Sequence, residues 1–345
     1  MARWLVAGGG LAGTLAAEAL WRAGEDVVQR DAGKPSASRV AAGMFNPVSF
    51  RRIVEVWDAA EHRAAAEQTY RRFEALLGGT YWHEVPVVRV FPNAAYAADW
   101  QGRLNEGHAV SKWIELDEAQ GLNAPHGAGR VNGSGWVDVP ALLDDWAAWC
   151  RSGAERLRWE EGAWSWADGL PAGVDGVVDA RGGGAVSDLA QWGIKVNPNH
   201  GEVLTLKPGR WTQPFTLNVN KWLLPQPDGR ARLGATYAWN IEDDRTLPGT
   251  APDLLKAFDA VLHSKLNESD VDAHRAGLRP ASPDRRPFVG RLSARYPWYS
   301  ILNGLGTRGV LVGPRAAEDL VRQLLTDVPP RDLTHPARFR SFNEI

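Results

Sequence analysis

Trp4-Leu5-Val6-Ala7-Gly8-Gly9-Gly10-Leu11-Ala12-Gly13 is the stretch whose reading decides the fold. Trp4–Ala7 is a short apolar run of the kind that forms a parallel strand buried on both faces. Leu11 to Arg22 has helical spacing, with Leu11, Leu15, Ala19 and Trp21 apolar, and Gly24 ends it. Asp26–Asp31 predicts a second strand, so the segment is a βαβ unit. Between its first strand and its helix stands Gly8-x-Gly10-x-x-Gly13. Gly8 permits the tight turn, Gly10 lets backbone approach a pyrophosphate, and Gly13 lets the helix pack closely on the strand. Leu11 and Ala12 complete the turn, and the helix N-terminus offers free N–H groups and a positive dipole end to phosphates. Asp31, ending the second strand, is placed to accept hydrogen bonds from ribose hydroxyls. A carboxylate there disfavours a 2′-phosphate, which makes NADP a poor fit. The motif alone leaves NAD and FAD open, beside the plainer reading of a glycine turn with no ligand.

Composition sets outer bounds. The 345 residues suffice for one large domain or two moderate ones. With 44% hydrophobic and 23% charged residues the chain is not of disordered composition. A formal charge of −2 gives no electrostatic footprint for nucleic acid or an anionic membrane, although a local basic face is compatible with a neutral total. Paired arginines such as Arg71-Arg72 and Arg285-Arg286 read as solvated surface charge. The single cysteine, Cys150, excludes an internal disulfide and any Cys-x-x-Cys site. It falls in a helix from Ala141 to Cys150, where burial is expected. No histidines pair at i,i+4, so no metal is expected. Arg3 and the uncharged run to Ala17 imitate a secretory signal, but four glycines interrupt the run. Strand, turn and helix explain it better, and the expectation is a cytoplasmic protein with no membrane span.

Further along, Ile53–Leu77 predicts a helix and Val85–Phe91 a strand. Gly133–Pro140 reads as turn and strand, and Val174–Ala180 as a buried strand running into Gly182-Gly183-Gly184. From Gly201 to Trp239 the pattern is β-rich, with Glu202–Leu206, Trp222–Leu224 and Arg232–Thr236 alternating with turns. Leu254–Leu266 predicts an amphipathic helix. Tyr299–Leu302 predicts the last strand, and a helix runs from about Val310 to Leu325. The order is α/β, then mixed β, then α/β again, as in one domain interrupted by insertions.

Later segments bear on the cofactor: Ala41-Ala42-Gly43-Met44-Phe45-Asn46-Pro47, Gly135-Trp136-Val137-Asp138, Val177-Val178-Asp179-Ala180-Arg181-Gly182, Gly234-Ala235-Thr236, Gly277-Leu278-Arg279-Pro280, Pro283-Asp284-Arg285-Arg286-Pro287-Phe288-Val289-Gly290 and Asn303-Gly304-Leu305-Gly306-Thr307-Arg308-Gly309-Val310. In that order and spacing the chain resembles the D-amino-acid oxidase family of flavoproteins, nearest its glycine-oxidase branch. The resemblance covers essentially the whole chain.

It implies an α/β fold, α+β overall. A Rossmann-like FAD-binding domain would be built of discontinuous segments (1–80, 136–190 and 280–345), and a substrate domain with a mixed β-sheet would come from 81–135 and 191–279. Carried over by residue, Ala42, Gly43 and Met44 would lie along the flavin and Gly182 by the ADP half. Gly304, Gly306, Thr307 and Gly309 would border the isoalloxazine, and Arg279 would bind a substrate carboxylate. The plainer reading of Arg279 is an ordinary ion pair. Arg308 faces substrate, FAD or solvent, and Tyr237 either lines the substrate cavity or is a core tyrosine. The implied chemistry is oxidation of a small amine or amino acid by hydride transfer to flavin N5, with oxygen or another acceptor downstream. No cysteine stands in the C-terminal glycine loop, so FAD is expected to be held non-covalently. Arg51-Arg52 lie outside the family pattern. Most of the seventeen tryptophans are expected to serve packing. Two other readings compete. One is a tRNA-modifying amine oxidoreductase, which needs an electropositive surface around the cavity. The other is a flavin-binding protein without catalysis, against which Arg279 counts.

Overall fold

The computed structural model describes residues 1–34, 36–241 and 243–339. Its first large sheet has six strands, in the order Leu157–Glu161, Asp26–Asp31, Arg3–Ala7, Gly176–Asp179, Tyr299–Asn303 and Phe288–Arg291. The first five are parallel and the sixth antiparallel. Both faces of a parallel sheet are covered, and the central strands are accordingly continuous apolar runs such as Trp4–Ala7 and Gly176–Val178. Asp179 is buried there because Arg181 and the Tyr299 hydroxyl satisfy its carboxylate. Leu11–Arg22, Ala59–Leu77 and Gly309–Thr326 pack together over one face, around Leu15, Leu20, Phe73, Leu311 and Leu320. Burying each such side chain contributes about 1.5–3 kcal/mol.

Pro314 lies inside the helix Gly309–Thr326 and has no N–H for the carbonyl of Val310 one turn earlier. The hydroxyl of Tyr70, a fully buried residue of the helix Ala59–Leu77, donates to that oxygen at 3.0 Å.

The second large sheet has eight strands: Val271–Ala281, Asn197–Leu206, Ala231–Gly234, Trp222–Pro225, Thr216–Asn218, Val87–Val90, Ala128–Val131 and Ile114–Asp117. It is mixed, with Thr216–Asn218 and Val87–Val90 as its parallel pair. Asn197–Leu206 and Val271–Ala281 pair antiparallel along almost their whole length, which sets Asn199 opposite Arg279 and Gly201 opposite Gly277. A small sheet of Met44–Phe45, Gly135–Val137 and Trp82–Glu84 joins segments distant in sequence, with Phe45 stacked on Trp82 at 4.0 Å.

The opening helix and second strand have the expected limits, Leu11–Arg22 and Asp26–Asp31. Three other expectations need correction. The helix expected from Ile53 begins at Ala59, because Val48–Ser49 and Val54–Glu55 fold back on each other and bury Val48 and Ile53. The strand expected over Val85–Phe91 divides at Pro86, which cannot donate to a ladder: Trp82–Glu84 joins the small sheet and Val87–Val90 the large one. The helix expected over Leu254–Leu266 is Thr250–Lys256, followed by tight turns. Those turns still bury Phe258, Val261 and Leu266, so the apolar spacing reported the core rather than the helix. No helix among the described residues is long and apolar enough to cross a membrane.

Candidate active site

A cavity of roughly 530 Å³ opens at the carboxyl ends of Arg3–Ala7, Asp26–Asp31 and Gly176–Asp179 and reaches the eight-stranded sheet. Carboxyl strand ends are where open α/β sheets bind ligands. Gly8, Gly10, Leu11, Ala12, Asp31, Ala42, Gly43, Met44, Gly182, Gly306, Thr307 and Gly309 line it, with Tyr237 and Arg279. Three further sequence candidates do not. Gly13 lies beneath the turn. Gly304 turns the chain after the last strand at φ +73°, its N–H bonded to Asn303 Oδ1. Arg308 precedes the final helix, between two lining residues.

The glycine turn fits a dinucleotide. Gly10 caps the helix in extended conformation without a side-chain partner, leaving first-turn donors beyond Leu11 for a ligand. The Leu11 N–H reaches Ser38 Oγ at 3.1 Å, which brings a hydroxyl to the place where phosphates approach a helix. Asp31 Oδ1 accepts from the Gly9 N–H at 3.2 Å. A Cβ on Gly9 would lie 2.4 Å from Asp31 Cγ, so the unassigned middle glycine is sterically required beside the Asp31 carboxylate. Behind the turn, Gln29 is fully buried. Its Nε2 donates to Gly8 O at 3.0 Å, and its Oε1 accepts from Trp146 Nε1 at 2.7 Å. On the other wall Gly43 has φ +68°, and a Cβ there would lie 2.0 Å from Val137 O. Only glycine permits that approach.

At Gly10 the nearest obstacle to a Cβ is Ser38 Oγ at 3.2 Å, a hydroxyl that can rotate away. The added methyl would therefore fill the cavity rather than disturb the fold. Gly10→Ala is expected to leave the far-ultraviolet circular dichroism unchanged while weakening dinucleotide binding on the order of 100-fold. Equilibrium titration of the apoprotein measures this, and wild-type affinity in the variant would remove the turn from phosphate binding.

Sequence reasoning missed several lining residues: Ser38, Gly162, Ala163, Trp164, Trp222 and Asn303. Trp164 is buried with the Arg181 guanidinium 5.2 Å from its ring, and Arg181 is held by Asp179 and Asp188. The strand Leu157–Glu161 that delivers Trp164 has weak alternation, so nothing local announced it.

Arg279 lines the cavity with its guanidinium over Gly201, where a Cβ would lie 2.0 Å from two of its nitrogens. Nη1 donates to Asn199 Oδ1 at 3.0 Å and to Thr236 O at 3.2 Å. Burial holds its pKa below the usual arginine range. Among the described residues it forms no ion pair, which answers the plainer reading. Tyr237 is 58% exposed, so it is not a core tyrosine; its ring lies 4.8 Å from Arg279 Cζ. Among the described residues no histidine, glutamate or cysteine lines the cavity. Cys150 is buried in the core, and desolvation pushes its thiol up to about 12.

The chain belongs to the FAD dependent oxidoreductase family, DAO, whose model matches residues 3–323. FAD is therefore its cofactor, and the protein is an FAD-dependent oxidoreductase. Among curated relatives, the tRNA 5-methylaminomethyl-2-thiouridine biosynthesis bifunctional protein MnmC of Thiobacillus denitrificans is 27% identical over 355 residues, covering 94% of this chain and 56% of that protein. The chain thus spans little more than half of that relative's length. A putative thiamine biosynthesis oxidoreductase, ThiO, of Rhizobium etli is 29% identical over 339 residues, covering 94% of this chain and 97% of that one. Among solved structures, glycine oxidase from Bacillus cereus superposes with a TM-score of 0.80 at 18% identity, covering 96% of each chain, and shares the fold.

Proposed function

We propose that this protein oxidises an amine or amino acid that carries a carboxylate, by hydride transfer from the carbon beside nitrogen to flavin N5. The supporting observation is Arg279: a half-buried guanidinium in the wall of the cavity with no acidic partner among the described residues. A buried cation left unpaired costs several kcal/mol, and a ligand carboxylate offsets that cost. Arginine holds such a group through two parallel N–H donors, which fixes the carbon next to it and contributes by positioning. FAD, when bound, supplies the two-electron acceptor. At Gly306–Gly309 the N–H groups of Gly306 and Arg308 already bond Pro280 O and Leu305 O. Those of Thr307 and Gly309, beside the positive end of the last helix, remain to stabilise negative charge. On this reading 1–80, 136–190 and 280–345 carry the cofactor and 81–135 and 191–279 the substrate, with 340–345 outside the described residues. Arg279 stands at the join.

The described wall has no histidine, and of its carboxylates Asp31 is held by the Gly9 N–H and Asp243 by Arg245, so the substrate amine is read as arriving neutral. Anaerobic mixing with glycine, sarcosine, proline and D-amino acids is expected to bleach the flavin. The rate should rise with pH through the amine's own pKa and level off above it. Flavin that stays oxidised with every amine would leave a binding protein without catalysis. A second reading, an amine on a modified tRNA base, is supported by the relative of that function and by the Arg279 guanidinium beside the exposed Tyr237. Reduction by undermodified tRNA but by no free amino acid would favour it.

A further inference from the structure

The two strands that carry Arg279 also place a partner for it. Asn197–Leu206 and Val271–Ala281 pair antiparallel with Asn199 opposite Arg279, so both side chains stand on one face of the sheet. Gly201, two residues further on, shares that face and leaves the room in which the guanidinium lies. Asn199 is 3% exposed, and both ends of its carboxamide are engaged. Oδ1 accepts from Arg279 Nη1 at 3.0 Å, and Nδ2 donates to Ala238 O at 3.2 Å. A guanidinium only donates and a carbonyl only accepts, so one orientation of the amide serves both. Ala238 is itself fixed, since His200 N–H donates to Ala238 O at 2.9 Å and Ala238 N–H to His200 O at 2.9 Å. Ala238 follows Tyr237, whose ring lies 4.8 Å from Arg279 Cζ. Asn199 therefore fastens the guanidinium and the Tyr237 segment to one another.

Three acceptors hold Nη1, and all are neutral: Asn199 Oδ1, Thr236 O at 3.2 Å and, more loosely, His200 O at 3.5 Å. Nη2 and Nε bond no acceptor among the described residues. One corner of the guanidinium is thus pinned while its other donors and its whole charge stay available to a ligand. A carboxylate at position 199 would pin the same corner but compensate the charge. That is what Glu115, opposite Arg130 in the same sheet, does together with Asp117. We propose that Asn199 is a positioning and specificity residue, which aims the Arg279 guanidinium at a substrate carboxylate without neutralising it and ties that aim to Tyr237. The inference rests on the reading of Arg279 as the carboxylate-binding group and adds the residue that sets its direction and keeps its charge.

Two ligands without an amine, propionate and its neutral amide propionamide, are titrated against the flavin absorbance of the holoenzyme. The wild type is expected to prefer propionate. Asn199→Asp keeps the size of the side chain but sets an anion against the guanidinium. Its propionate affinity should fall on the order of 100-fold and its propionamide affinity hardly at all. Asn199→Ala keeps the charge of Arg279 and its two backbone acceptors, so propionate affinity should fall only a few-fold. The looser fork instead lowers the limiting rate of anaerobic flavin reduction, at saturating glycine, sarcosine or proline, on the order of tenfold. A residue that only supports the fold would lower flavin content and thermal midpoint in both variants and change both ligands alike. Wild-type discrimination in Asn199→Asp overturns the proposal, and so does an equal loss of propionate in the two variants. A wild-type limiting rate in Asn199→Ala also overturns it, and that variant buries no new charge, so it decides the question where the aspartate is not tolerated. Wild-type protein that binds propionate no better than propionamide overturns the Arg279 reading itself.

Discussion

Replacing Arg279 by Met raises the substrate concentration needed for half-maximal flavin reduction by roughly 30- to several-thousand-fold, the 2–5 kcal/mol expected when one member of a desolvated, hydrogen-bonded charge pair is removed. The flavin spectrum stays that of the wild type, because Arg279 bonds Asn199 and Thr236 and none of the residues of the glycine turn. Stability should change little. The variant leaves two acceptors without a donor but also removes a guanidinium whose burial already works against its charge. Methionine keeps much of the length that fills the space over Gly201. Arg279→Lys retains charge without the planar fork and should recover only part of the loss. An unaltered half-saturating concentration in Arg279→Met would falsify the carboxylate role.

The second large effect is at Gly13, which does not line the cavity. A Cβ there would lie 1.9 Å from Gly8 O, backbone held in place by Gln29 and by the Gly8 N–H bond to Arg30 O. Nothing flexible can yield, so the helix Leu11–Arg22 must shift away from the strand or the turn must open. Gly13→Val is expected to cost about 3 kcal/mol or more as an overpacked contact and to yield protein without flavin. Thermal unfolding of both apoproteins measures the first effect and the absorbance ratio at 450 and 280 nm the second. The contrast with Gly10→Ala is the informative part. One glycine is required by the fold and the other by the cofactor, and a Gly13 variant as stable as wild type would remove that distinction.

Legibility in the sequence followed locality. The βαβ unit was readable because its signals sit within thirty-one residues and agree: an apolar run, a glycine turn, a helical period and a terminal acid. Arg279 was readable only through resemblance. Its strand, Val271–Ala281, contains charges, a glycine and a proline, and is held by pairing with Asn197–Leu206 rather than by alternation of its own. What Arg279 bonds was hidden for the same reason, since Asn199 and Thr236 reach it only across sheet register. Lys221 gave no signal at all. Only the fold brings its Nζ to the carbonyl of Ala235, a wall residue, at 2.8 Å. Trp164 and Ser38 belong to the same class, side chains whose meaning depends on what another segment brings to them.

The bond from Tyr70 to Val310 joins positions 240 residues apart and exists because of a third, Pro314. These positions are therefore physically coupled. While residue 314 is proline, a phenylalanine at 70 strands a buried carbonyl in the first turn of a helix that borders the cofactor cavity. Once residue 314 regains an N–H, the hydroxyl at 70 has nothing left to do. Substitutions at the two sites are thus order-dependent: losing the tyrosine is penalised while the proline stands and tolerated once it has gone.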